Sequence, residues 1–240
     1  MILYFRHDII RILGAWFGSL FGKEGKDFKS RMGAHNRDTQ MGWFIIIGTL
    51  PILIAGLLFK DAIESTLRNL WITVTVLIIF GILLWVVDAR AKQVKTMDEM
   101  TWKDALIFGI GQMLALIPGV SRSGGTITFG RAMGYTREAA VRVSFLMAIP
   151  AVFGAGILEA VSAVKNVAAG NAGMFPGWGA TIAATIVAFV VGYVVIIGFL
   201  KFVSTFSYKA FAIYRIALAV VVALLLICGV LHPTEVVAAA

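Results

Sequence analysis

Five apolar runs, at 42–59, 70–87, 142–163, 178–200 and 211–231, are each long enough to cross a hydrocarbon core, which takes roughly 20 residues of helix. Inside lipid the backbone must satisfy its own N–H and C=O groups, so runs of this length fold as helices. The fold class read from them is all-α: a polytopic helical membrane protein forming a single integral membrane domain over 1–240. The 60% hydrophobic and 14% charged composition agrees. A net charge of +8 could point to nucleic acid. The basic residues are spread through the loops between the runs instead of forming one tract, so membrane topology explains them and nucleic acid is excluded as a partner.

One apolar region breaks the pattern. Residues 105–117 are apolar for only half a crossing, Pro118-Gly119 interrupts them, and a second short piece runs from Thr126 to Met133. Between lies "ALIPGVSRSGGTITFG", residues 115–130, with an arginine at its centre. A charge near the bilayer centre costs about 2.5–3.5 kcal/mol by insertion scales and marks a functional site by default. The reading is a re-entrant helix-loop-helix over 105–133, its loop buried in a polar cavity that satisfies the exposed amides. Charge distribution supports re-entrance. If the hairpin returns to its own side, 16 Lys and Arg gather on one face and 3 on the other; if it crosses, the split is 12 against 7. The positive-inside rule favours the first and makes the 16-charge face cytoplasmic.

The opening stretch, 1–22, reads as an amphipathic helix or a partial span, with Ile2, Phe5, Ile9, Leu13, Trp16 and Leu20 on one face and Arg6, His7, Asp8 and Arg11 on the other. No basic region precedes its apolar residues, so it is no signal peptide. A weak internal similarity joins "FIIIGTLPILIAGLLFKDAIE" from Phe44 to "SFLMAIPAVFGAGILEAVSAV" from Ser144; each has a proline in its first half and is followed by a plain span and a basic loop. This suggests an inverted-repeat architecture, in which broken helices occupy matching positions of two halves. Cys228 stands alone in an apolar run, so no intrachain disulfide forms.

Within the loop, Pro118 ends a half-helix and Gly119 permits a sharp turn. Ser121, Ser123 and Thr126 offer hydroxyls, Arg122 offers a planar fork of donors, and Gly124-Gly125 lets backbone amides approach a ligand at the start of the next half-helix. Donors converging on a helix N-terminus make an anion site, and a guanidinium matches phosphate oxygens in bidentate fashion. The inferred ligand is a phosphate group. The spacing imitates a nucleotide-binding P-loop, but glycine replaces its lysine and no strand precedes it, so that reading fails. The bland alternative is that Arg122 only bonds backbone carbonyls to hold a broken helix together.

These residues carry a resemblance. "GQMLALIPGVSRSGGT", with "MTWKDALIFG" before it and "FAIYRIALA" near the end, resembles the second signature and flanking segments of the undecaprenyl-diphosphate phosphatase (bacitracin-resistance) family, over most of the chain. The resemblance implies a helical bundle with inverted repeats and two re-entrant segments meeting at a central polar cavity, in the bacterial cytoplasmic membrane. It implies removal of the terminal phosphate from undecaprenyl diphosphate, recycling the carrier lipid for peptidoglycan synthesis. By the motif, Arg122 would clamp the diphosphate, Ser121 and Thr126 would hydrogen-bond its oxygens, and Ser123, Gly119, Gly124 and Gly125 would complete the binding loop. Gln112 would either assist or serve a helix–helix hydrogen bond. The implied partners are a polyprenyl diphosphate lipid and the bilayer, with a homo-oligomer admitted; the implied cofactor is a divalent cation, Mg or Ca.

The chain departs from the family at its first signature, a glutamate-rich helix followed by a Ser-Ser-x-Gly-His-like loop, which has no match here. His7, His35 and His232 read as ordinary surface histidines, and Glu24, Glu64, Glu99 and Glu138 as loop or helix-end residues, so metal ligands are not identifiable. The expectation is a chain lacking its family's first segment, as a misplaced start codon would produce, with weak or no turnover. A carrier or flippase for prenyl phosphate or another anionic lipid, using the same Arg122 loop without bond cleavage, is the competing reading. A membrane phosphatase with Arg and catalytic His in separated motifs does not fit, since no histidine follows Ser121-Arg122 in a suitable place.

Overall fold

A computed structural model describes residues 1–23, 25–169 and 177–234. Glu24 lies outside the described residues, as does the side chain of Glu64. The described elements are helical: α1 (Arg6–Leu20), α2 (Phe28–Arg31), α3 (Arg37–Leu58), α4 (Lys60–Glu64), α5 (Leu70–Arg90), α6 (Trp102–Met113), α7 (Arg122–Ala132), α8 (Arg137–Ala168), α9 (Trp178–Thr205) and α10 (Lys209–Ile227). Five of these, α3, α5, α8, α9 and α10, are long and apolar enough to cross a membrane. The chain is an all-α, multi-pass membrane protein.

Local chemistry sets the helix boundaries. The Asn36 side chain accepts from the Asp38 and Thr39 amides at the start of α3, and Asn69 accepts from the Trp71 amide at the start of α5; both satisfy donors that a helix leaves open. Thr101 and Asp104 cap each other at the start of α6. Pro51 and Pro150 lie inside α3 and α8, the two helices that carry the internal similarity. The last apolar run outlasts its helix: α10 gives way at Cys228, and Gly229 turns the chain at φ +71°.

The core gathers where α3, α6, α7 and α8 meet, around Met100, Phe108, Tyr135, Val141, Val143 and Met147. Small residues let these helices approach. A β-carbon on Gly109 would lie 2.5 Å from the Gly48 carbonyl oxygen, and one on Gly125 would lie 2.4 Å from that of Gly111. In lipid, association depends on such close contact because apolar surface has no water to escape. α5 packs on α10 through Val74, Ala219 and Leu226, and α9 meets α10 through Phe199 and Phe202, each edge-on to Phe211.

The side of the first helical segment that meets the bundle is not the apolar face read from the sequence. Phe5, Ile12 and Ser19 are buried, whereas Ile2 and Leu13, assigned to the apolar face, are about half exposed, at 52% and 47%. Ser19 turns inward because its hydroxyl donates to the Ser30 and Arg31 carbonyls. Where hydrocarbon surrounds the bundle, an apolar side chain gains nothing by turning toward protein, so hydrophobicity does not fix the rotation of a helix. Asp8, placed by the sequence on the polar face opposite, instead shares the bundle-facing side with Ile12, where Arg142 of α8 donates to it at 2.8 Å and draws the carboxylate inward.

Candidate functional site

α6 and α7 form an antiparallel pair joined by the turn that carries the arginine, and both of its ends are tied. At the base, Asp104 in the first turn of α6 accepts from Lys95 Nζ at 2.8 Å, from the Thr101 amide at 2.9 Å and from the Tyr135 hydroxyl at 3.0 Å. Beside it, Asp88 at the end of α5 accepts from Arg131 Nε at 2.9 Å, from Arg137 Nη2 at 2.9 Å and from the Tyr208 amide at 3.1 Å. Arg131, the penultimate residue of α7, has no solvent exposure. A charge this deep persists only when paired and hydrogen-bonded, and Asp88 supplies both.

At the far end, the chain leaves α6 through a single 3₁₀ turn, Leu114–Leu116, and reverses at Pro118-Gly119. Gly119 takes φ +99°, and a β-carbon there would meet the Thr73 carbonyl oxygen at 2.7 Å. Ser121 caps α7 from φ +67°, a conformation costing about 1–3 kcal/mol for a residue with a side chain and found most often at functional sites. Its hydroxyl accepts from the Gly124 amide at 3.3 Å, and its carbonyl accepts from the Gly125 amide at 2.8 Å. The amides of Arg122 and Ser123 make no hydrogen bond among the described residues. They stand at the positive end of an 11-residue helix, the place where an anion is best received.

The loop's carbonyls are held by a different arginine. Arg215 of α10, 8% exposed, donates Nη1 to the Val120 carbonyl at 2.9 Å and Nη2 to the Gly119 carbonyl. A β-carbon on Gly124 would fall 2.6 Å from Arg215 Nη1, so the glycine admits the guanidinium. Holding the broken helix together, the bland role open to Arg122, is therefore performed by Arg215. Arg122 is half-buried, and its guanidinium makes no hydrogen bond or ion pair among the described residues.

A cavity of about 450 Å³ opens beside the loop, lined by Gly119, Ser121, Ser123, Gly124 and Arg215 and otherwise by aliphatic and aromatic residues including Leu84, Ile127, Tyr208, Phe211 and Tyr214. The structure thus brings four of the predicted residues to one cavity. Arg122 adjoins them in sequence without lining it. Thr126 is fully buried, and its hydroxyl donates to the Arg122 carbonyl at 2.6 Å. Gly125 is occupied in packing against Gly111. Gln112 is fully buried with neither amide atom partnered among the described residues. A groove of about 490 Å³ between α1, α3 and α8 is larger, but its lining is apolar apart from Thr49 and holds no charged group.

Sequence reasoning missed Arg215. The signal was present: an arginine alone in the apolar run "FAIYRIALA" invites the same question as Arg122. His7, His35 and His232 are exposed, as expected of surface histidines. Among the described residues, no group of three His, Cys, Asp or Glu could hold a metal. The loop's donors are hydroxyls, amides and guanidinium groups, which suit an anion, so the described residues do not fit the divalent cation that the family resemblance implies.

Comparison with known proteins adds the following. The family model described as bacitracin resistance protein BacA matches residues 1–221. A protein of Bifidobacterium adolescentis named undecaprenyl-diphosphatase is 99% identical over 240 residues, which is 100% of this chain and 82% of that protein. One of the same name from Bifidobacterium animalis subsp. lactis is 75% identical over 98% of this chain and 79% of its own length. Another from Paenarthrobacter aurescens is 52% identical over 94% of this chain and 78% of its own length.

Proposed function

The chain belongs to the bacitracin resistance protein BacA family, and on that footing we propose that it acts as an undecaprenyl-diphosphate phosphatase whose Arg122 loop receives the diphosphate. Water attacks the terminal phosphorus, the anhydride P–O bond breaks, and undecaprenyl phosphate and inorganic phosphate leave. Phosphoryl transfer depends mainly on positioning and on neutralising charge. The open amides of Arg122 and Ser123 and the Ser121 and Ser123 hydroxyls bind the phosphate oxygens, and the Arg122 guanidinium swings onto them as a bidentate clamp. Thr126 reaches the same oxygens once its hydroxyl leaves the Arg122 carbonyl. The observation that carries this reading is the division of labour between the two arginines. Arg215 satisfies the loop's carbonyls, and the Arg122 guanidinium is left beside the helix N-terminus without a partner among the described residues.

The α6–α7 pair enters and leaves the membrane from one side in this reading, because the bonds at its base join its two ends. That side is the cytoplasmic face of the bacterial cytoplasmic membrane, given the excess of Lys and Arg there. Hydrolysis also needs a group to activate the attacking water. Among the described residues, no carboxylate or histidine able to activate that water lines the cavity beside the loop.

The test is to supply undecaprenyl diphosphate in detergent micelles and in liposomes to the purified chain and to that relative. Phosphate release by both supports the reading. Transbilayer movement of the lipid without phosphate release would replace it with a carrier for anionic prenyl lipids.

A further inference from the structure

We propose that Arg215 is a second cation of the anion site, a role that rests on the reading of the Arg122 loop just given. Two buried arginines meet their surroundings in different ways. Arg131 has no exposure and faces the Asp88 carboxylate; Arg215 has 8% exposure and faces only the neutral carbonyls of Gly119 and Val120. No ion pair involves Arg215 among the described residues, and its buried Nε has no partner there. A cation taken out of water without a counter-charge is costly, and such groups within membrane segments mark ligand paths.

The missing negative charge has a place to sit. Arg215 lines the same cavity as Ser121, Ser123 and Gly124, and its Nη1 lies 2.6 Å from where a Gly124 β-carbon would be, in the same first turn as the open amides of α7. By drawing the Gly119 and Val120 carbonyls to itself, Arg215 also keeps their negative ends away from that helix start. An anion bound there meets amides, hydroxyls and a guanidinium on either side. A diphosphate, with more charge than a single cation can offset, fits this arrangement better than a monophosphate.

The experiment measures equilibrium binding of inorganic pyrophosphate to the purified full chain and to Arg215→Lys and Arg215→Gln, with thermal unfolding to verify folding. Lysine keeps the charge, whereas glutamine keeps a donor for one carbonyl and removes the charge. The expected result is that Arg215→Lys binds within about threefold of the parent and Arg215→Gln about tenfold weaker or worse, since a charge-assisted hydrogen bond is worth about that factor or more. Binding by Arg215→Gln equal to the parent, or equal loss in both variants, overturns the inference and leaves the phosphatase reading intact. Should Arg215→Gln not fold, Arg215→Lys decides alone: affinity near the parent's upholds the role and a tenfold loss overturns it. A parent chain that binds no pyrophosphate overturns both the inference and the anion-site reading beneath it.

Discussion

The Tyr135 hydroxyl donates a 3.0 Å hydrogen bond to the Asp104 carboxylate, linking the residues just past α7 to the first turn of α6. The bond holds both ends of the loop-bearing helix pair at one level, so the turn between them stands at a fixed depth. Tyr135→Phe removes that donor and leaves Lys95 and Thr101 on the carboxylate. Its expected cost is about 1–3 kcal/mol, read as a lowered unfolding midpoint in detergent. In an Asp104→Asn background the same substitution should cost measurably less, because the charged acceptor is already gone.

The same carboxylate predicts a pH response. Burial opposes ionisation of Asp104, but Lys95, the Thr101 hydroxyl and amide, and the Tyr135 hydroxyl together hold its pKa below the ordinary 3.8. A carboxyl depressed in the folded state contributes stability that is present above its unfolded pKa and is lost as pH falls through the folded one. Thermal unfolding followed from pH 7 downward should therefore show Asp104's contribution intact through mild acid and fading only below the ordinary aspartate range. Asp104→Asn should flatten that acid limb; an unchanged limb would remove Asp104 from the account.

Asp88 and Arg131 form the deeper tie. Arg131→Met leaves a nearly buried carboxylate with Arg137 as its one remaining cation and removes bonds to both the side chain and carbonyl of Asp88. Breaking a buried pair costs about 3–5 kcal/mol, so the yield of folded protein from membranes should fall sharply. Arg137→Met, at a site 23% exposed, should cost less.

Glycine substitutions separate packing from open surface. Gly125→Ala drives a methyl group to 2.4 Å from the Gly111 carbonyl oxygen, whereas Gly192 on α9 has nothing within 4 Å of the same position. Forcing atoms into a filled contact costs about 1–3 kcal/mol. Alanine in an open helix interior gains up to about 1 kcal/mol over glycine. Unfolding midpoints should move in opposite directions for the two variants.

The membrane fold was legible in the sequence because its signals are local. Apolar length alone marks the runs that became α3, α5, α8, α9 and α10, and Pro118-Gly119 marks the break between α6 and α7. The loop's composition was legible for the same reason, since its hydroxyls, glycines and arginine are neighbours in the chain. What stayed hidden depends on distance across the fold. Arg215 reaches the loop from 95 residues away, Thr126 spends its hydroxyl on the preceding turn, and Gly125 meets Gly111 of another helix. The rotation of α1 escaped because hydrocarbon accepts Leu13 as readily as a protein interior does.

The measurement that bears most directly on the Arg122 loop is phosphate release from undecaprenyl diphosphate by the B. adolescentis relative, unaltered and with lysine at the position matching Arg122. Lysine keeps the charge and loses the bidentate fork. The predicted result is steady release by the unaltered protein and a loss of about tenfold or more with lysine, the two folding equally well. Undiminished release by the lysine variant would mean that Arg122 does not hold the diphosphate.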